Sequence, residues 1–327
     1  MLRARIAGTG KAVPDKVLTN DDLSKLVETS DSWIRERTGI GARRILEEGR
    51  STSDLAADAG RRACETAEID PSQIDCIIVG TISPDMPMPA VAVTVQQKLG
   101  ARPGSAAFDI SAACAGFIYG LSIGDAFIRS GQFKNVLVIG VEILSRLVDW
   151  TDRNTCVLFG DGAGAALLVP STDERGIQST HIFADGAGVP FLNIPGGGSL
   201  EPTTLKSVEA KRHLVHMQGK SVFTHAVKNI SAAAKTALEH NGKTAADVDV
   251  VVAHQANIRI LEAVSERVGI GLDRFYLNIH KYGNTSSASI PIALDEAARE
   301  GRVKPNDLVL MAALGAGLSW GSALVRF

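Results

Sequence analysis

Three segments from the first half of the chain reappear, in the same order, in the second half. IDCIIVGT (74–81) resembles VDVVVAHQ (248–255), and each follows a helical-looking stretch and a short polar turn. GQFKNVLVIGVE (131–142) resembles GRVKPNDLVLMAA (301–313), with two residues added in the second copy, and GDGAGAALLV (160–169) resembles GLSWGSALVRF (317–327). A matched order of this kind indicates an internal duplication. Each half alternates strand-length apolar runs with amphipathic helical runs such as LAADAGRRACETA (55–67) and LDEAAREG (294–301). That alternation is the pattern of helices covering a mostly parallel sheet, so the fold class is α/β. Two such halves, residues 1–170 and 171–327, predict a layered αβαβα body. Its ligands should lie beyond the carboxyl ends of strands, where loops of both copies meet.

At 327 residues the chain exceeds the size at which one core usually stops growing, which fits two fused halves. A net charge of -2 with 21% charged and 45% hydrophobic residues gives no bulk basicity for nucleic acid. The longest apolar runs, VLVIGV and VDVVVA, are far short of the ~20 residues that cross a bilayer, so no membrane span is expected. MLRARIAGTGKAVP interleaves charges with small residues and has no apolar secretion core, and the expected location is cytoplasmic. Cys64, Cys76, Cys114 and Cys156 form no CxxC pair and join no histidine cluster, which argues against zinc or a disulfide framework.

Three residues stand out at strand-to-helix transitions. Cys114, in DISAACAGF (109–117), lies among small residues where a helix through GFIYGLSIGDAFIRSG is expected to begin. A helix start favours an anion and lowers a thiol pKa from ~8.5 toward the ~3.5–7.5 range of reactive cysteines. His254, in AHQANIRI (253–260), ends an apolar run and enters a loop; Asn284, in YGNTSSASIP (282–291), precedes another helix start. Each alone has an ordinary structural account: a small buried thiol, a satisfied core imidazole, a turn or capping amide. Their joint occurrence favours chemistry.

These motifs resemble those of the condensing enzymes of the thiolase superfamily, specifically β-ketoacyl-acyl-carrier-protein synthase III. The resemblance runs from SDSWIRERTGI (30–40) through LFGDGAGAALL (158–168) to GAGLSWGSALVRF (315–327). It implies an internally duplicated, thiolase-like five-layer αβαβα fold and a homodimer. It also implies an acyltransferase that loads a short acyl group from acyl-CoA onto Cys114. Decarboxylative Claisen condensation with malonyl-acyl carrier protein then gives 3-oxoacyl-carrier protein, CO2 and CoA. Acylation needs a thiolate; loss of CO2 leaves an enolate that needs donors already in place. By resemblance those donors are neutral His254 Nε2–H and the Asn284 amide. Thiolases carry a second cysteine as base and hydroxymethylglutaryl-CoA synthases a glutamate, whereas decarboxylating synthases carry asparagine.

The resemblance further places an oxyanion hole at the backbone N–H groups of Cys114 and Ala316. Ala316 stands where the family commonly has glycine. Trp33 and Arg153 match the pair that sandwiches the adenine of CoA, with Arg37 for phosphate and Thr29 nearby; stacking of an aromatic ring and a guanidinium makes physical sense of that pairing. Phe223, Ala226 and Asn257 match the pantetheine tunnel, and Met88 the residue that caps the acyl pocket across a dimer interface. Arg259 and Arg267 match the basic patch that docks the acidic carrier, although Thr224 and Glu266 occupy positions often basic in the family. No metal or tightly held cofactor is implied. The loop DGAGVPFLNIPGGGS (185–199) either lines the pocket or lies on the surface, and GDGAGA is assigned to a structural turn rather than a dinucleotide site. The alternatives are a starter-unit ketosynthase or acyltransferase of specialised-metabolite synthesis, a non-catalytic partner subunit and, remotely, a nucleotide-binding oxidoreductase.

Overall fold

In the computed structural model, which describes residues 2–327, the repeated segments become equivalent strands of two sheets. The first sheet runs Arg3–Ala12, Asp161–Ser171, Val136–Ile143, Cys76–Gly80, Ala106–Ile110. The second runs Gly176–Ala184, Ser319–Arg326, Leu308–Gly315, Val250–Ala253. In both, the two inner matched strands are parallel and the third is antiparallel to them. The first sheet's last strand has only a vestige in the second, where Phe275 makes an isolated parallel bridge to Val251.

Helices fill three layers around the two sheets. Thr52–Ala67 and Val91–Leu99 cover the outer face of the first sheet, and Gly219–His240 and Ile258–Val268 cover that of the second. Between the sheets lie Gly116–Arg129 and Ser289–Arg299, whose Phe117, Ile118, Leu121, Ile290 and Leu294 join both inner faces in one core. This is the thiolase-like five-layer arrangement. Each fully buried Leu, Ile or Phe contributes ~1.5–3 kcal/mol, so the central layer is the heart of the molecule.

Two sequence expectations change here. LDEAAREG reads as an amphipathic helix covering a sheet, yet Ser289–Ala297 is buried throughout, because this helix lies between sheets. Its acids are buried with partners, as a buried charge requires. Asp295 accepts from Thr9 Oγ1 at 2.9 Å and Arg299 Nε at 3.0 Å, and Glu296 accepts from Tyr282 OH at 2.6 Å, Asn278 Nδ2 at 2.9 Å and Lys11. GDGAGA is not a turn either: from Asp161 onward it is strand. Asp161 is an anchor, accepting from Ser145 Oγ at 2.6 Å, Leu46 N at 2.7 Å and Ser145 N at 2.8 Å.

Both central helices are entered by a tight turn containing one non-glycine residue in the left-handed region. Ala113 (φ 44°) leads the turn Ala113–Ala115, and Ser286 (φ 49°) leads the turn Ser286–Ala288. Such residues cost on the order of 1–3 kcal/mol and persist only where their surroundings dictate them. The two turns pack against each other across the seam between the halves. A Cβ on Gly140 would collide with the Ser287 carbonyl oxygen, which is how closely the second half approaches the first sheet.

Candidate active site

Cys114 sits in the first of these turns, immediately before the helix that starts at Gly116, and is 7% exposed. It is the only one of the four cysteines to line either of two chambers, and it lines both. The first chamber, about 260 Å³, is walled by Ile82, Leu144, Phe159, Leu192, Ile194 and Val215, an apolar lining suited to an acyl chain. The loop 185–199 therefore does line the pocket, through Leu192, Asn193 and Ile194. The second chamber, about 140 Å³, brings together Cys114, His254 and Asn284, and Phe223, Ala226 and Asn257 line it too.

His254 follows the strand Val250–Ala253, is 2% exposed, and is held by its own N–H to Ala312 O at 2.9 Å. Burial pushes the imidazole down to about 3, so it is neutral at physiological pH. Its Nδ1 lies 2.6 Å from Ser289 Oγ, and that oxygen also accepts from Gln255 N at 3.3 Å. When the serine hydroxyl donates to Nδ1, the ring proton is on Nε2.

Asn284 is pinned by the first half: its N–H donates to Leu158 O at 2.8 Å and its carbonyl accepts from Gly160 N at 3.0 Å. Its side-chain oxygen accepts from Ser286 N at 2.8 Å. With Oδ1 occupied, the amide's donor end is the one left for a ligand.

The terminal turn reaches the same place. A Cβ on Gly315 would stand 2.5 Å from Cys114 N, so glycine is demanded there, and the next residue, Ala316, lines the acyl chamber. Ala316 is not among the residues in the left-handed region, which explains why alanine is accommodated.

The thiol departs from expectation. Burial pushes Cys114 up to about 12, and the neighbouring Ser286 hydroxyl opposes this only in part. Desolvation of the buried sulfur outweighs the helix start, so the resting group is a thiol and needs a proton acceptor.

At the mouth of the second chamber, Asn257 caps the helix Ile258–Val268 through Arg259 N (2.9 Å) and donates to Arg37 O at 3.1 Å. This ties the tunnel to the helix Asp31–Thr38, which carries Trp33. The guanidinium carbons of Arg37 and Arg153 lie 4.9 and 5.0 Å from the Trp33 ring centre. A sandwiched base needs roughly 7 Å, two ~3.5 Å contacts, so Arg153 must swing aside to admit one. It is held at present by Nη1 to Glu28 O at 2.9 Å. Thr29 Oγ1, close by in sequence, is buried and lacks a partner. Arg259 and Arg267 are exposed on the mouth-side helix, together with Glu266, while exposed Thr224 turns its hydroxyl to Lys220 O at 3.0 Å. Met88 is 82% exposed and lines neither chamber of its own chain.

Comparison with known proteins decides the family. Residues 108–192 match the model of 3-oxoacyl-[acyl-carrier-protein (ACP)] synthase III, and residues 238–327 match the model of its C-terminal part. The chain belongs to the β-ketoacyl-[acyl-carrier-protein] synthase III family. The synthase III of Caldanaerobacter subterraneus subsp. tengcongensis is 49% identical over 326 residues, covering 100% of this chain and 98% of that protein. The crystal structure of the synthase III from Aquifex aeolicus VF5 superposes with a TM-score of 0.92 at 45% identity, over 99% of this chain and 100% of that one. The priming β-ketosynthase of the R1128 polyketide pathway is similar at 36% identity, TM-score 0.91, over 99% and 96% of the two chains. Curated synthase III relatives at 46–50% identity over 98–100% of this chain favour the fatty-acid reading over a specialised-metabolite one. This chain is thus a condensing acyltransferase that initiates fatty acid synthesis.

Sequence reasoning missed Ser286, Ser289 and Glu142. The hydroxyl run NTSSAS and the single charge within VLVIGVEI were the visible signals.

Proposed function

We propose that Cys114 is the nucleophile of this synthase III and that His254 and Asn284 are its decarboxylation donors. The observation that carries the reading is the shared chamber: one sulfur and two neutral donors, from opposite halves of the duplication, line one cavity. Acyl-CoA enters past Trp33, Arg37 and Arg153, with Thr29 beside them, and its pantetheine lies along Phe223, Ala226 and Asn257. The sulfur attacks the thioester carbon and CoA departs, leaving the acyl chain in the apolar chamber. Malonyl-acyl carrier protein then docks on Arg259 and Arg267 and presents its thioester to the donors.

Loss of CO2 puts negative charge on the thioester oxygen, where His254 Nε2–H and Asn284 Nδ2–H stabilise it. The carbanion attacks acyl-Cys114. The tetrahedral oxyanion is received by the N–H groups of Cys114 and Ala316, and collapse expels the sulfur. Neither donor is a carboxylate, so neither repels the malonyl carboxylate. CoA thioester and malonyl-carrier protein are substrates, and we assign the chemistry to the chain's own groups without metal or resident cofactor.

The working unit we propose is a cytoplasmic homodimer in which Met88 caps the partner's acyl chamber. Its exposure, and the free edge strand Ala106–Ile110 that ends the first sheet, support this. Among the described residues no helix is long and apolar enough to cross a membrane. Incubation with a panel of acyl-CoAs, read by intact mass, tests the assignment. An adduct of acyl mass on the wild type and none on Cys114→Ala supports it; equal labelling of both contradicts it. Sedimentation tests the dimer, for which a monomer at micromolar concentration would be the contrary result.

A further inference from the structure

Glu142 lies one hydroxyl, that of Ser286, from the chamber that holds Cys114. It is the only charged residue in the strand Val136–Ile143, is 0% exposed, and has no role in the chemistry described so far. Its two oxygens differ. Oε2 accepts from Ser83 Oγ at 2.6 Å, Ile82 N at 3.1 Å and Thr81 Oγ1 at 3.2 Å. Ser83 Oγ itself accepts from Ile143 N at 2.8 Å, so its proton is committed to Oε2.

Oε1 is less engaged. Ile82 N reaches it only at 3.3 Å, and Ser286 Oγ and Ser287 Oγ each stand at 3.2 Å. Ser287 has a better acceptor in Gly80 O at 2.7 Å. Ser286 alone links the two groups: its hydroxyl meets Oε1, it lines the acyl chamber together with Cys114, and its turn packs against the cysteine turn.

Among the described residues, no lysine or arginine bonds Glu142. The titratable neighbour facing it from the cysteine turn is Cys114, and Asp161, which pairs with Ile143 on the adjacent strand, spends its oxygens on Ser145 and Leu46. The segment Thr81–Ser83 that follows the strand Cys76–Gly80, and the asparagine turn, contribute only hydroxyls and the Ile82 N–H.

We propose that Glu142, acting through the Ser286 hydroxyl, takes the Cys114 thiol proton during acyl loading and returns it when condensation releases the sulfur. In loading, the S–H proton passes to Ser286 Oγ as the Ser286 O–H proton passes to Glu142 Oε1. The serine is unchanged and the carboxyl is neutral. The freed sulfur pair forms the S–C bond, the thioester C–S bond breaks, and its pair leaves on the CoA sulfur, which takes a proton from solvent. In condensation the carbanion displaces Cys114, whose sulfur keeps the bond pair and recovers the proton by the reverse path.

Two physical features support this. Burial pushes the Glu142 carboxyl up to about 7, which suits a group that both takes and gives a proton near neutrality. The transfer also removes the carboxylate charge as the thiolate forms, so the buried site never holds two negative groups side by side. Glu142 does not touch the sulfur; it is a positioning residue working through Ser286.

The inference rests on Cys114 being the nucleophile, and the test separates the two claims. The rate of Cys114 alkylation by iodoacetamide, mapped by peptide mass, is measured from pH 5 to 10 for wild type, Glu142→Gln and Ser286→Ala, alongside acyl loading from acyl-CoA. The wild-type rate should rise with an inflection near pH 7. Both variants should lose that inflection, react at least ten-fold more slowly at pH 7, and approach the wild type in alkali.

A variant inflection unchanged from wild type, a loss equal at every pH, or faster reaction of Glu142→Gln at pH 7 (the effect of merely deleting a negative charge) overturns the relay. If Glu142→Gln melts early, Ser286→Ala decides, because it leaves the Oε2 bonds in place. Acyl loading that persists with any of these results spares the nucleophile, whereas a wild type that is neither alkylated nor acylated at Cys114 removes both claims.

Discussion

Replacing Ser289 by alanine isolates what fixes the His254 proton. The hydroxyl stands 2.6 Å from Nδ1 and is buried with the ring, so its loss leaves a buried acceptor unpaired and the tautomer unspecified. An orphaned buried acceptor costs ~1–3 kcal/mol. Placed on the decarboxylation barrier, at 1.36 kcal/mol per factor of ten, that is about a 5- to 150-fold slower release of CO2. Acyl loading should stay within about two-fold, because Ser289 bonds His254 and Gln255 and not the sulfur's partner Ser286. The assay is paired: CO2 from radiolabelled malonyl-acyl carrier protein, and acyl-enzyme formation by intact mass. Gln255 N also loses an acceptor at 3.3 Å, so the melting temperature should fall by a few degrees, and a melt run in parallel confirms the fold. Undiminished CO2 release in a folded variant, or loading that falls in step with it, would refute the tautomer argument.

Other expectations follow from the same geometry. Asn284→Asp should keep acyl loading while CO2 release collapses by ~100-fold or more, since a carboxylate repels the developing enolate; undiminished CO2 release contradicts the donor role. Val215→Phe should narrow the 260 Å³ chamber, so that the longest acyl-CoA loaded becomes shorter while acetyl loading changes little. A primer range identical to wild type by intact mass would place the acyl chain elsewhere.

Stability against pH carries two opposed slopes. His254, lowered from 6.5 to about 3, binds a proton more readily unfolded, so its contribution rises with pH across that window. Glu142, raised from 4.5 to about 7, binds it more readily folded, so its contribution is lost as pH rises from 4.5 through 7. Chemical denaturation from pH 4.5 to 6.5 should therefore show that Glu142→Gln gains, and His254→Gln loses, the dependence rising with pH, by at most ~1.4 kcal/mol per pH unit. Slopes of the reverse sign would refute the assigned shifts.

The fold was readable because duplication and periodicity are properties of the chain: the matched runs 74–81 and 248–255 contain equivalent central strands. What escaped was decided by tertiary neighbours. The acids of LDEAAREG look solvated until Thr9, Lys11 and Tyr282, nearly three hundred residues away in the first two cases, are seen to bond them. Cys114, His254 and Asn284 announced themselves by motif, yet the side chains that set their protonation did not. Ser286 and Ser289 look like any hydroxyls near a helix start, and only the seam between the halves shows one in the chamber of the sulfur and the other against the imidazole. The thiol pKa was misread for the same reason, since a helix start is visible in sequence and burial is not.

The most direct test of the account is a single-turnover experiment on pre-acylated enzyme. Wild type loaded on Cys114 and mixed with malonyl-acyl carrier protein should release one CO2 and one 3-oxoacyl-carrier protein per acyl group, with the adduct leaving Cys114 at the same rate. His254→Ala and Asn284→Ala should accept the acyl group and then stall with it still attached. Product formed at the wild-type rate by either stalled variant, or product formed while the acyl group remains on Cys114, would contradict it.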